Sequence, residues 1–170
     1  MHGPTKWMGA AAFAAAMMLG SAGNAAAQAA AGGAARPPDP PVIAYRKAMM
    51  QVNSQHQAAL RALLSGQTVG TTDEDIEMHV EALANQGEMF SRIFPEGSTG
   101  PTSRAMDEIW TKKDEFAARV KAFADATNAL KDTADKSDNA ATLAALAAVG
   151  QTCGACHTPF RKPAAPPPAG

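Results

Sequence analysis

The chain has 170 residues, 15 basic and 16 acidic side chains, a formal net charge of −1, 46% hydrophobic residues and two cysteines. That balance gives no basic field for nucleic acid and no strong charge to steer a partner. No internal repeat and no phosphate-cradling glycine loop is present, and β-branched residues are sparse beside abundant alanine, so strands are not expected.

In chain order, the first segment reads as a secretory signal. Lys6 and the amino group are positive, Trp7 to Leu19 is apolar, and Ala25-Ala26-Ala27 offers small residues for cleavage. The apolar run is shorter than the roughly 20 residues of a membrane span, so cleavage after Ala27 is expected rather than a retained anchor. Removing Lys6 with residues 1–27 leaves 14 basic against 16 acidic residues, a net charge of −2. The protein is expected in the periplasm, with no membrane attachment after cleavage. Residues 28–41 (QAAAGGAARPPDPP) cannot bury a core and read as a flexible leader. Residues 42–162 are the folded domain, and the proline-rich residues 163–170 are a disordered tail.

Four segments of the domain carry apolar residues at alternating steps of three and four, the spacing of amphipathic helices. The first opens at Asp39-Pro40-Pro41, with Asp39 as N-cap, and shows Val42, Tyr45, Met49, Val52, His56, Ala59 and Leu63 before Gly66. Leu60 and Leu64 fall off that stripe. The second starts at Thr72, with Asp75 three residues on as a capping-box variant, and shows Ile76, Val80, Leu83, Gly87 and Phe90 before Pro95. The third begins between Ser103 and Asp107 and shows Ile109, Phe116, Val120, Phe123, Thr127 and Leu130, interrupted at Lys113. The fourth follows Ser137 and reads Leu143, Leu146, Gly150, Cys153, His157 and Phe160. The connection Pro95 to Thr102 is the longest. Short links imply antiparallel neighbours, so the expected fold is all-α: an up-down-up-down four-helix bundle.

The last stripe ends in Cys153-Gly154-Ala155-Cys156-His157, the Cys-x-x-Cys-His signal for attaching a c-type haem. Two thiols can add to the two haem vinyl groups as thioethers, and the adjacent imidazole can ligate iron. On a helix these residues share about one face. A thioredoxin-like pair would need a preceding strand, and a zinc site would need more ligands than this chain offers nearby. Because Cys153 and His157 continue the seam of the leucines, one covalent haem c is expected inside the bundle. Gly150 and Gly154 would let a flat cofactor approach the backbone.

Tyr45-Arg46, Phe94-Pro95-Glu96-Gly97-Ser98, Glu108-Ile109-Trp110 and Cys153-x-x-Cys156-His157-x-x-Phe160-Arg161 together resemble the class II c-type cytochromes, cytochrome c-prime and its low-spin relatives. The C-terminal place of the haem motif is the most specific part, since class I cytochromes c carry theirs near the N-terminus. The resemblance implies that His157 is the proximal iron ligand and that Cys153 and Cys156 form the thioethers. It implies that Arg46 lies near a haem propionate, where a guanidinium can pair bidentately, and that Arg161 helps position the imidazole or a propionate. Phe160 and Trp110 would pack against the porphyrin or the core beside it. Met50, one turn after Arg46, would face the distal side of the iron. A bound thioether there gives a His/Met electron-transfer site; an unbound one leaves five-coordinate iron that takes small gases such as nitric oxide or carbon monoxide. Met49 is the adjacent alternative. The expected function is a soluble electron carrier working with redox partner proteins, not an enzyme, with the gas binder as the alternative and a homodimer through the first two helices as the family habit. His56 and His79 are assigned no iron.

Overall fold

The computed structural model describes residues 38–66 and 72–164. The signal expected at 1–27, the leader up to residue 37 and the tail beyond residue 164 lie outside the described residues. Helix α1 spans Pro41–Leu64, α2 Asp73–Met89, α3 Glu108–Thr111, α4 Lys113–Ala134 and α5 Asn139–Phe160, with a 3₁₀ turn at Phe90–Ile93. Among the described residues there is no strand, only an isolated bridge between Ala105 and Arg161. The four long helices form the expected antiparallel bundle, α5 packing on α4, α4 on α2, and α2 on α1.

The helix ends follow from local chemistry. Pro41 opens α1 and Pro40 is its N-cap; a proline lacks the N–H that the first turn could not bond anyway. Asp39 is therefore not the cap. It sits one residue too early, and its carboxylate takes the Lys47 ammonium at 2.9 Å instead. At α2 the Thr72 N–H donates to the Asp75 carboxylate at 2.8 Å, the returning half of a capping box. Ahead of Pro95 the helix tightens into the 3₁₀ turn. The interruption expected near Lys113 is a break at Lys112, with φ −111° and ψ 54°, which separates α3 from α4. At α5 the Asp138 carboxylate accepts the Ala141 N–H at 2.9 Å.

One apolar cluster joins all four long helices: Leu60 from α1, Ile76, Val80 and Leu83 from α2, Phe123 and Leu130 from α4, Leu146 and Val149 from α5. Gly87 is where α2 crosses α4, since a Cβ there would lie 2.5 Å from Thr127 Oγ1 and 3.1 Å from Ala124 Cα. A second cluster, Ile109, Phe116 and Phe160, ties α3 and α4 to the end of α5. The two are linked by aromatic contacts running Phe123, Phe90, Phe94, Phe116, Phe160, with ring centroids 5.0–5.8 Å apart.

The stripe expected on α1 is wrong in phase. Its inward face is Ile43, Arg46, Asn53, Gln57 and Leu60, all buried, whereas Tyr45 is 46% and Val52 40% exposed. Leu60, expected off the core, is at its centre, and Leu64 packs against the same cluster. The apolar pattern misled because polar residues occupy much of the inward face. A smaller shift affects α5. Leu143 points outward at 42% exposed while Thr142 is buried, its hydroxyl donating to the Asp138 carbonyl at 2.7 Å.

Candidate functional site

Cys153, Cys156 and His157 lie together near the end of α5, and the two cysteines are not paired in a disulfide. Cys153 packs against the first apolar cluster and Cys156 against the second. Between the clusters open two adjoining cavities, of about 400 and 270 Å³. Cys156 and His157 from α5, Arg161 at its C-cap, and Met50 from α1 line both.

The electrostatics suit a neutral sulfur and a neutral imidazole. Burial, with Cys153 alongside, pushes the Cys156 thiol up to about 11. Burial, followed by the cations Arg161 and Arg104, lowers the His157 pKa, so the ring keeps a lone pair for a metal at neutral pH. The Cys153 thiol donates to the Val149 carbonyl at 3.4 Å, and the Gln57 amide approaches its sulfur at 3.7 Å.

The larger cavity runs along α1. Asn53, Gln57 and Arg61 follow Met50 at helical spacing and face it, with Arg119 and Phe123 across from α4. The Asn53 side-chain oxygen and Arg119 Nε are buried and have no partner among the described residues. A strap borders the smaller cavity: Met106 N–H donates to the Phe160 carbonyl at 3.0 Å and Lys162 N–H to the Arg104 carbonyl at 2.8 Å. A flat, largely apolar group with polar edges fits this space. Two sulfurs and an imidazole stand at one side, an unpartnered amide and guanidinium line the wall, and among the described residues no carboxylate lines either cavity.

Arg46 also lines the smaller cavity, but most of its N–H groups are already used. Its Nε donates to the Ile93 carbonyl at 2.8 Å, and both terminal nitrogens donate to the Ser98 carbonyl at 3.1 Å. One of them also meets the Ser98 hydroxyl, and the guanidinium stacks 4.5 Å from the Phe94 ring centroid. The residue thus fixes the Phe94–Ser98 segment over the cavity.

The family model described as Cytochrome C' matches residues 41–161. The chain belongs to the cytochrome c' family. Proteins of that family carry one covalently bound haem c. The chain is 37% identical over 121 residues to a cytochrome c' of Pararhodospirillum photometricum, covering 71% of this chain and 95% of that one. It is 33% identical over 118 residues to a cytochrome c-556 of Agrobacterium tumefaciens, covering 68% and 93%. A solved nitric oxide complex of a cytochrome c prime variant from Alcaligenes xylosoxidans superposes with a TM-score of 0.66 at 28% identity, covering 72% of this chain and 94% of that one. The cytochrome c' bundle is therefore the fold of this domain.

Of the residues singled out in the sequence, Cys156, His157, Met50, Arg46 and Arg161 meet at the smaller cavity, while Cys153 lines only the larger one. Arg161 caps α5, its N–H on the His157 carbonyl at 3.1 Å. Phe160 is buried among aromatics, and the Trp110 indole donates to the Pro95 carbonyl at 2.9 Å. Gly154 is exposed and lines neither cavity, whereas Gly150 lines the larger one. Sequence reading missed Asn53, Gln57, Arg61 and Arg119. Counting in helical steps from Arg46 and Met50 would have reached the first three.

Proposed function

We propose that this family member is a periplasmic electron carrier. In this reading Cys153 and Cys156 hold haem c through thioethers, His157 is the proximal iron ligand and Met50 the distal one. Once bound, haem c supplies a one-electron couple. The observation that carries the reading is that Met50 on α1 and His157 on α5 line the same two cavities from different helices.

The chain's own residues do the rest. The aromatic series Phe90, Phe94, Phe116 and Phe160 gives the cavities apolar walls, and a Met50 thioether bound to the iron would favour the reduced state and a raised potential. Arg46 and Arg161 remain the propionate and proximal-side partners. Arg46 would act with whatever donor capacity its backbone bonds leave, and Arg161 from its exposed place at the end of α5. Among the described residues no helix is long and apolar enough to cross a membrane. Tyr45 and Val52 exposed on α1, with Met78 on α2 at 58% exposed, support a homodimer through the first two helices.

A second reading has its own support. Solved relatives include nitric oxide complexes, and Met50 is only half-buried, so five-coordinate iron with a free gas site is the alternative. An optical spectrum of the reduced holoprotein separates the two. His/Met ligation predicts sharp α and β bands that Met50→Leu converts to a broad high-spin spectrum. A broad spectrum that Met50→Leu leaves unchanged removes Met50 from the iron and selects the gas binder.

A further inference from the structure

The bundle carries a second set of metal-ligating side chains that haem attachment does not use. His56 on α1 and His79 on α2 face each other across the first helix pair, Nδ1 to Nδ1 at 2.8 Å, with ring centroids 5.1 Å apart and the rings tilted by 60°. Both are half-buried, so one side of the pair is open to solvent. Among the described residues neither ring makes another hydrogen bond.

We propose that His56 and His79 form a two-nitrogen site for a late divalent transition ion, copper(II) above all, clamping α1 to α2. Two imidazole nitrogens each about 2.0–2.1 Å from one ion stand about 2.9 Å apart when cis at a right angle, and about 3.4 Å apart in a tetrahedron. The 2.8 Å spacing is that of an N–H···N hydrogen bond between the two rings, and an ion that displaces the shared proton finds the nitrogens already near the right-angled, tetragonal spacing that copper(II) and nickel(II) prefer. Copper(II) also leads the affinity order for nitrogen ligands.

The surroundings agree. Burial, then the neighbouring His79, lower the pKa of His56, which favours the neutral ring that a metal ion requires. Asp75, one turn before His79 on α2, interacts electrostatically with it and adds negative charge beside the site. Among the described residues no third His, Cys, Asp or Glu joins the pair, so water completes the coordination and the site is open. Neither histidine lines the two cavities beside His157.

The test uses the purified haem-loaded protein titrated with copper(II) chloride in a non-coordinating buffer. Binding is followed by calorimetry and by electron paramagnetic resonance. One ion per chain is expected, with a tetragonal copper signal split by two nitrogens. Each of His56→Gln and His79→Gln should weaken binding at least tenfold, and the double variant should lose the two-nitrogen splitting while its haem spectrum and helical circular dichroism stay unchanged. Bound copper should also raise the thermal midpoint of the unaltered protein and not that of the double variant. Uptake with the same affinity and splitting in the double variant, or no saturable uptake in the unaltered protein, overturns the proposal.

Discussion

The two ends of this bundle are built differently. At one end Leu60, Leu83, Leu130, Leu146 and Val149 are at most 1% exposed, and all four long helices meet in a dry core. At the other, α1 turns Arg46, Asn53 and Gln57 inward, and the space between α1 and α5 is cavity. Amides buried along a cavity cost stability unless something within it satisfies them. The contrast teaches that the first end holds the bundle together and the second is shaped for a guest: thiols at the edges of two apolar clusters, with aromatic rings carrying the packing around the gap.

The sharpest way to break this comparison is at the packed end. Leu146→Ala removes a side chain 1% exposed from the middle of the core and should cost about 2–5 kcal/mol in denaturant unfolding of the purified protein. A loss below 1 kcal/mol would mean that this end is not the one that holds the fold. Next in size is Arg46→Met. It leaves the Ile93 and Ser98 carbonyls without their donor and should cost about 1–3 kcal/mol, with faster proteolysis of the Phe94–Ser98 segment. Unchanged stability there would free Arg46 from its anchoring role. The smallest effect is expected on the cavity wall. Asn53 has an unpartnered oxygen, so Asn53→Leu should leave stability unchanged or raise it by up to about 1 kcal/mol. A clear loss would show that its amide finds a partner once the site is filled.

Legibility in the sequence divides along the same line. The second and third stripes were read correctly, because Ile76, Val80 and Leu83, and Phe116, Phe123 and Leu130, face other protein and obey the rule that apolar means inward. The first stripe failed because α1 faces a cavity with Arg46, Asn53 and Gln57 while presenting Tyr45 and Val52 to the outside. Periodicity finds the apolar face of a helix, and here that is not the buried one. The site was legible where chemistry is spelled by spacing, as in Cys153, Cys156 and His157, and in the neighbours of Arg46 and Met50 that carried the family resemblance. The contacts of Arg119 and the meeting of His56 with His79 join residues far apart in the chain, and no local pattern announces them.

The central claim is that a porphyrin is joined through Cys153 and Cys156 into the open end of the bundle. Mass spectrometry of the protein purified from a host that attaches haem c tests it most directly. The account predicts a polypeptide heavier than its sequence by one haem, with both thiols resistant to alkylation after denaturation. A mass equal to the bare chain, with Cys153 and Cys156 both alkylated, would contradict it.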